Sequence, residues 1–269
     1  MLWCWAFVLG YASWLRHGSD QLVRPAVSPM PTDRTHSALQ LNLVLIGPPG
    51  SGKGTQAVRL AERYGIPHIS TGEILRAAVR AGSPLGLQVA ATLSSGGLVS
   101  DDLMTDLVRE RLRQADAISG FILDGFPRTV VQAQALDEML GNTGSALEPS
   151  QLIVVLVAAA DDAIVERLSR RRVCSSCGIT QSVSQDTEPQ ADPCPYCGGS
   201  LVRRDDDSPS TIRRRLATYA SFADPITTLY RARSRFASVD GLRNADEVTA
   251  ALCAHIEVFS RGASGQPGQ

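Results

Sequence analysis

Lys53 stands in a glycine-rich run, Gly47-Pro48-Pro49-Gly50-Ser51-Gly52-Lys53-Gly54-Thr55, between an apolar stretch and a helical pattern. Strand, loop and helix in that order is the setting in which such a run binds phosphate. The glycines let backbone N–H groups point inward around phosphate oxygens, and the N-terminus of the next helix adds a favourable dipole. Lys53 then reaches the β- and γ-phosphates of a nucleotide. Gly54 occupies the place after the lysine where Ser or Thr is usual, and Thr55 follows it. A second chemical centre is Asp124, which ends the apolar run Phe121-Ile122-Leu123. Ligands of open α/β sheets gather where strands end, and a carboxylate there can hold the water shell of Mg²⁺. Arginines crowd at 170–172, 203–204 and 213–215. They read either as solvated helix faces or as a phosphate clamp, since a guanidinium matches phosphate oxygens in bidentate fashion.

Four of the six cysteines form two C-x-x-C pairs, Cys174/Cys177 and Cys194/Cys197, with sixteen residues between them. This is the spacing of a four-thiolate zinc site, closed to further ligands and therefore structural. Two disulfides are one alternative, disfavoured where thiols are kept reduced, and an iron–sulfur cluster is another. Residues 173 to 203 are rich in Pro, Ser, Gln and Asp, so a metal cross-link would take the place of a core. Cys4 and Cys253 are isolated and read as inert.

Positioning these groups requires strands and helices. Leu41 to Ile46 and Leu152 to Val157 read as buried strands, with further strands near 67–70, 121–124 and 236–239. A helix follows the glycine run to about Tyr64. Another covers Glu73 to Ala81, capped by Ser70-Thr71. A third begins after Ser100, with Leu103, Leu107 and Val108. A helix from Asp161 to about Arg172 would put Arg167 and Arg171, four apart, on one face.

From Leu41 to about Phe259 the chain resembles, in order and without large gaps, the long-lid adenylate kinases of bacteria. The resemblance is carried by the glycine run and by Ser70-Thr71-Gly72-Glu73-Ile74-Leu75-Arg76. It continues through Gly97-Leu98-Val99-Ser100-Asp101, Asp124-Gly125-Phe126-Pro127-Arg128 with Gln132, the cysteine pairs, and Arg204-Asp205-Asp206-Asp207 with Thr211 and Arg215. It implies ATP binding by Gly50, Ser51, Gly52, Lys53, Gly54, Thr55, Arg167, Arg171 and the backbone near Arg243. For AMP it implies Thr71, Arg76, Gly97, Leu98, Val99, the segment Gly125 to Arg128, Gln132 at the adenine edge, Arg204 and Arg215. Lys53, Arg128, Arg171, Arg204 and Arg215 would carry the phosphoryl transfer, with Asp124 holding Mg²⁺ through water. Asp206 and Asp207 would lock the arginines and the hinge. The family usually has an aromatic residue shortly after the first cysteine pair, and here Ile179-Thr180-Gln181 stands instead.

The implied fold is an α/β nucleoside monophosphate kinase fold: a five-stranded parallel sheet with helices on both faces and two inserted mobile arms. The kinase domain would span 40–262, with an AMP-binding arm at 70–99 and a zinc lid at 172–207. The implied reaction is ATP + AMP = 2 ADP, in a cytoplasmic monomer. Rival readings are another nucleoside monophosphate kinase, a GTP-using version, and a zinc module on an inactive scaffold. The formal net charge is −1, which argues against a nucleic-acid or membrane-surface binder. Met1 to Leu15 is apolar but shorter than the twenty or so residues that cross a bilayer, and lacks a preceding basic segment. Residues 1–39 are therefore expected to be a leader, an organelle-targeting extension or the product of an upstream start, and 263–269 a flexible tail.

Overall fold

β1 (Leu41–Ile46) is buried along its whole length, and its alternate side chains feed two different cores. Val44 and Ile46 join Leu123, Phe126, Leu136, Val154 and Tyr230 on one face. Leu43 and Leu45 join Leu60, Ile122, Val155, Leu252 and Ile256 on the other. A strand covered on both faces reads as a continuous apolar run because neither side meets water. The computed structural model describes residues 41–142, 152–183, 193–233 and 235–263. The expected leader, most of the expected tail and part of the expected lid lie outside the described residues.

Along the chain, β1 is followed by α1 (Lys53–Tyr64), β2 (His68–Ser70), α2 (Thr71–Arg80), α3 (Pro84–Ser95) and α4 (Asp101–Leu112). Then come β3 (Gly120–Asp124), α5 (Val130–Asn142), β4 (Ile153–Ala158) and α6 (Asp161–Ser169). β5 (Arg171–Cys174), β6 (Thr180–Ser182) and β7 (Leu201–Val202) precede α7 (Pro209–Arg231), β8 (Phe236–Asp240) and α8 (Ala245–Ala263). The main sheet has five strands in the order β2-β3-β1-β4-β8, all parallel, as the sequence predicts. Its register sets Asp124 beside both Leu45 and Ser70. The glycine loop, the Asp124 carboxylate and the start of α2 therefore open from one edge of the sheet.

α2 and α3 make the first arm. Ser70 Oγ accepts the Glu73 N–H and caps α2, which starts at Thr71. At Gly86 an added Cβ would lie 2.1 Å from the Ala78 carbonyl oxygen, so the two helices cross backbone to backbone. The second arm is a three-stranded antiparallel sheet in the order β6-β5-β7, which the sequence did not predict.

One expectation is overturned here. α6 stops at Ser169, and Arg171 opens β5, so Arg167 and Arg171 do not share a helical face. Arg171 and Arg172 pair with Ser182 and Gln181 across the lid sheet. These tertiary pairings override a run that looks helical by local propensity. Beneath this hinge, Ile164 and Leu168 of α6 pack with Ile212 and Leu216 of α7.

Candidate active site

The loop from β1 to α1 is bent by Gly47, Gly50 and Gly52, at φ 140°, 83° and 101°. A Cβ on Gly47 would lie 2.3 Å from the Val157 carbonyl oxygen, and one on Gly50 would lie 2.8 Å from Leu168 Cγ. The loop is thus clamped between β4 and α6, with no room for a side chain at Gly47 or Gly50. Gly52 precedes α1 without a side-chain cap, which leaves first-turn N–H groups to an incoming anion. Ser51 is buried, and Thr55 is exposed on the first turn of α1. Lys53 Nζ donates to Gly47 O and Pro48 O, each at 2.7 Å, and to Ser51 Oγ at 3.3 Å. Burial pushes the Lys53 ammonium down to about 8; Asp124 opposes the shift, while Arg128, Arg215 and Arg171 add to it.

Asp124 stands against the start of α1: a Cβ on Gly54 would lie 3.4 Å from Asp124 Oδ2, an ordinary contact distance. On its other side, His68 Nε2 lies 3.6 Å from Oδ2. Burial would raise the Asp124 carboxyl, but His68, Lys53 and Arg128 together outweigh it and hold it below the usual range. An ionised oxygen donor beside a phosphate loop suits a hard cation that keeps its waters.

Beyond Asp124 the chain turns at Gly125, φ 87°, where a Cβ would meet Thr71 Oγ1 at 2.8 Å. The Phe126-Pro127 peptide is cis and Phe126 is fully buried. Arg128 Nε donates to Gly125 O at 2.9 Å. Burial pushes Arg128 down to about 10, so it stays charged at neutral pH. One cavity brings Arg128 together with Arg76, Arg215, Thr71, Gln132 and Asp206. The Gly97-Leu98-Val99 segment, with Leu75, Leu93 and Met104, supplies its apolar lining.

Four arginines at the junction of the two arms are tied by three carboxylates. Arg171 makes a two-pronged contact with Asp207, at 2.7 and 2.5 Å. Arg215 Nη1 stands 3.2 Å from both Asp206 and Asp207, and Arg76 lies 3.7 Å from Asp206. Glu73 Oε1 accepts from Arg76 at 2.8 Å and from Arg204 at 2.6 Å. Burial pushes Arg204 down to about 10, with Arg76 and Arg171 adding to the effect. Arg167 of α6 donates to Gly241 O at 2.9 Å and Gly50 O at 3.4 Å, joining the exit of β8 to the phosphate loop. Arg243 stands apart, exposed, 4.0 Å from Asp240.

The four sulfurs of Cys174, Cys177, Cys194 and Cys197 lie within 4.8 Å of one another, with all four cysteines free. Sulfurs of a tetrahedral zinc thiolate site stand roughly 3.8 Å apart; the pairs here are at 3.4 and 3.7 Å. Each knuckle repeats one hydrogen-bond pattern. Cys174 N–H donates to Ile179 O and Gly178 N–H to Cys174 O; Cys194 N–H donates to Gly199 O and Gly198 N–H to Cys194 O. The donor set fits a thiophilic tetrahedral metal.

Two side chains of this site escaped the sequence reading as functional groups. Glu73 links the two arms, and only its position three residues before Arg76 hinted at a pairing. His68 beside Asp124 carried no local signal, because the two meet only through the β2–β3 register.

A family model described as adenylate kinase matches residues 45–235. An adenylate kinase of Kosmotoga olearia is 44% identical over 218 residues, covering 81% of this chain and 99% of its own length. One from Syntrophotalea carbinolica is 46% identical over 204 residues, covering 76% and 93%. One from Methanocella arvoryzae is 42% identical over 216 residues, covering 80% and 98%. With a family match over most of its length and the five-stranded sheet, glycine loop and arginine cluster to go with it, the chain belongs to the adenylate kinase family.

Proposed function

We infer that the protein catalyses reversible phosphoryl transfer between ATP and AMP, yielding two ADP, and so balances the adenine nucleotides. The observation that carries this reading is the meeting of two phosphate-binding elements at one centre. The Lys53 loop stands against Asp124, and Arg128, which lines one cavity with Arg76 and Arg215, joins Lys53 in holding that carboxylate ionised. A single nucleotide needs only the first. A second phosphate holder facing it places an acceptor phosphate next to the donor's terminal phosphoryl group.

The phosphate of AMP is already ionised, so the transfer needs no general base. Catalysis rests on holding the attacking and leaving oxygens in line and on spreading charge. Lys53 and the loop N–H groups hold the donor phosphates. Arg76 and Arg128 hold the acceptor phosphate. Arg171, Arg204 and Arg215 gather round the transferring group once phosphate oxygens replace Glu73, Asp206 and Asp207 as their partners. Asp124 would hold Mg²⁺ through its waters; bound there, the ion neutralises charge on the β- and γ-phosphates. Arg167 and the β8 exit at Gly241 flank the donor base, with Arg243 at its rim. Closing both arms excludes water that would otherwise accept the phosphoryl group.

We propose further that the knuckle cysteines bind zinc, supported by the sulfur spacing and the paired turns. A cytoplasmic location suits four free thiolates. A monomer suffices, since one chain supplies every residue named above.

Coupled assays pairing ATP or GTP with AMP, CMP, UMP and GMP test the reaction, on protein whose zinc has been counted. The expected result is a marked preference for ATP with AMP and one zinc per chain. A robust CMP rate beside a negligible AMP rate overturns the choice of acceptor.

A further inference from the structure

We propose that Asp101 is a specificity-determining positioning residue: it fixes which way round the Gln132 carboxamide lies, and so makes the acceptor pocket read a 6-amino rather than a 6-oxo purine. The inference rests on the assignment of this pocket to the acceptor nucleotide.

Gln132 lies in the first turn of α5, only 2% exposed, and is the one side-chain amide lining the cavity beside Arg76, Arg128 and Arg215. A nucleoside monophosphate bound by those guanidiniums places its base against the apolar lining, where this amide meets it. Asp101, the first residue of α4, does not line the cavity. It acts on Gln132 from behind.

The amide is held at both ends by groups of fixed polarity. The Arg128 backbone N–H, which can only donate, gives its proton to Gln132 Oε1 at 2.8 Å. The Asp101 carboxylate accepts from Gln132 Nε2 at 2.7 Å through Oδ1. Its other oxygen is itself anchored. Thr129 Oγ1 accepts the Gln132 backbone N–H at 3.2 Å and donates to Asp101 Oδ2 at 3.0 Å. Turning the amide over would set NH₂ against N–H and oxygen against carboxylate, leaving buried polar groups unpaired.

A primary amide has two protons and two acceptor sites. One of each is committed behind, and one of each is left for a ligand, in an order that cannot invert. Adenine offers an acceptor at N1 beside a donor at its 6-amino group. Hypoxanthine and guanine offer the reverse, a donor at N1 beside an acceptor at O6. An amide free to turn serves both orders; a pinned one serves only one.

Steady-state kinetics of the full chain with Mg-ATP and either AMP or IMP as acceptor test this. In Asp101→Ala the AMP-over-IMP ratio of kcat/KM is expected to fall by about ten-fold or more, through KM for AMP rather than through kcat. Asp101→Ser, whose short hydroxyl does not reach Gln132 but suits a helix start, repeats the measurement on a second background. Asp101→Asn keeps an acceptor oxygen for Nε2 and retains most of the ratio. Asp101→Ala/Gln132→Ala should match Gln132→Ala alone, the mark of one residue acting through the other. An unchanged ratio in the Ala and Ser variants, or additive losses in the double variant, overturns the proposal while leaving the reaction intact. A wild-type chain that takes IMP as readily as AMP overturns this inference, and one that fails to phosphorylate AMP overturns the functional reading beneath it.

Discussion

At the scale of single residues, Lys53 shows how the site stores its response to phosphate. Its ammonium is solvated by two loop carbonyls and a serine hydroxyl, and burial holds its pKa at about 8. Phosphate oxygens favour the charged form and raise that value. Below pH 7 the lysine is protonated before and after binding, so no proton is exchanged there. Above pH 8 the free protein has largely lost the proton, so binding must recover it and affinity falls as pH rises. Calorimetric titration with Mg-ATP in two buffers of different ionisation heat is expected to show uptake of more than about half a proton at pH 8.5 and close to none at pH 6.5. Lys53→Met abolishes the uptake and lowers kcat/KM by about 100-fold or more. Equal proton counts at the two pH values would contradict the depressed pKa. Lys53 was legible in the sequence because its loop is local. Glu73 was not, since its bond to Arg204 spans 131 positions, and neither was Asp101, 31 positions from Gln132. Residues whose role is made by the fold leave no spacing to read.

At the scale of elements, the lid is the part whose sequence and structure diverge most. β1, β3 and β4 read directly from apolar runs, because burial on both faces writes itself into composition, whereas β2, with one buried residue, and β8, which alternates, carry no such run. Nor do the lid strands: β6 is half exposed and β7 has two residues. No apolar pattern marks them, and beside them stands the four-cysteine cluster that brings the two knuckles together. Gly199 sits so close to the first knuckle that a Cβ would lie 3.0 Å from Cys174 Sγ, so the two turns are packed on each other and not only on a metal. If the knuckles hold zinc as proposed, Cys194→Ser is expected to lose it and to open residues 171–203 to proteolysis. The main-sheet melting transition should remain, while KM for ATP rises, because Arg171 on β5 and Asp207 behind it lose their fixed frame. Zinc loss with unchanged cleavage and unchanged KM for ATP would show that the lid sheet stands without the metal.

At the scale of the whole molecule, a chain of net charge −1 concentrates cations at one place. Lys53, Arg76, Arg128, Arg171, Arg204 and Arg215 face Asp124, Glu73, Asp206 and Asp207, six against four. That local excess draws polyanions to the mouth of the sheet without making the whole surface basic. Everything that builds it lies between β1 and α7, and α8 closes the second core from behind. Relatives matching 93 to 99% of their own length use only 76 to 81% of this chain, and the family match begins at residue 45. Among the described residues, no helix is long and apolar enough to cross a membrane. Among the described residues, the strands of the main sheet run from Leu41 to Asp240 and these charged site residues fall between them, so a chain beginning at Gln40 is expected to fold alone. Its kcat/KM for ATP and AMP should equal that of the full chain, and its Tm should lie within about 2 °C. A lower Tm at unchanged kcat/KM would mean that residues 1–39 stabilise the domain away from the site. A drop in kcat/KM at unchanged Tm would instead make residues 1–39 part of the catalytic cycle.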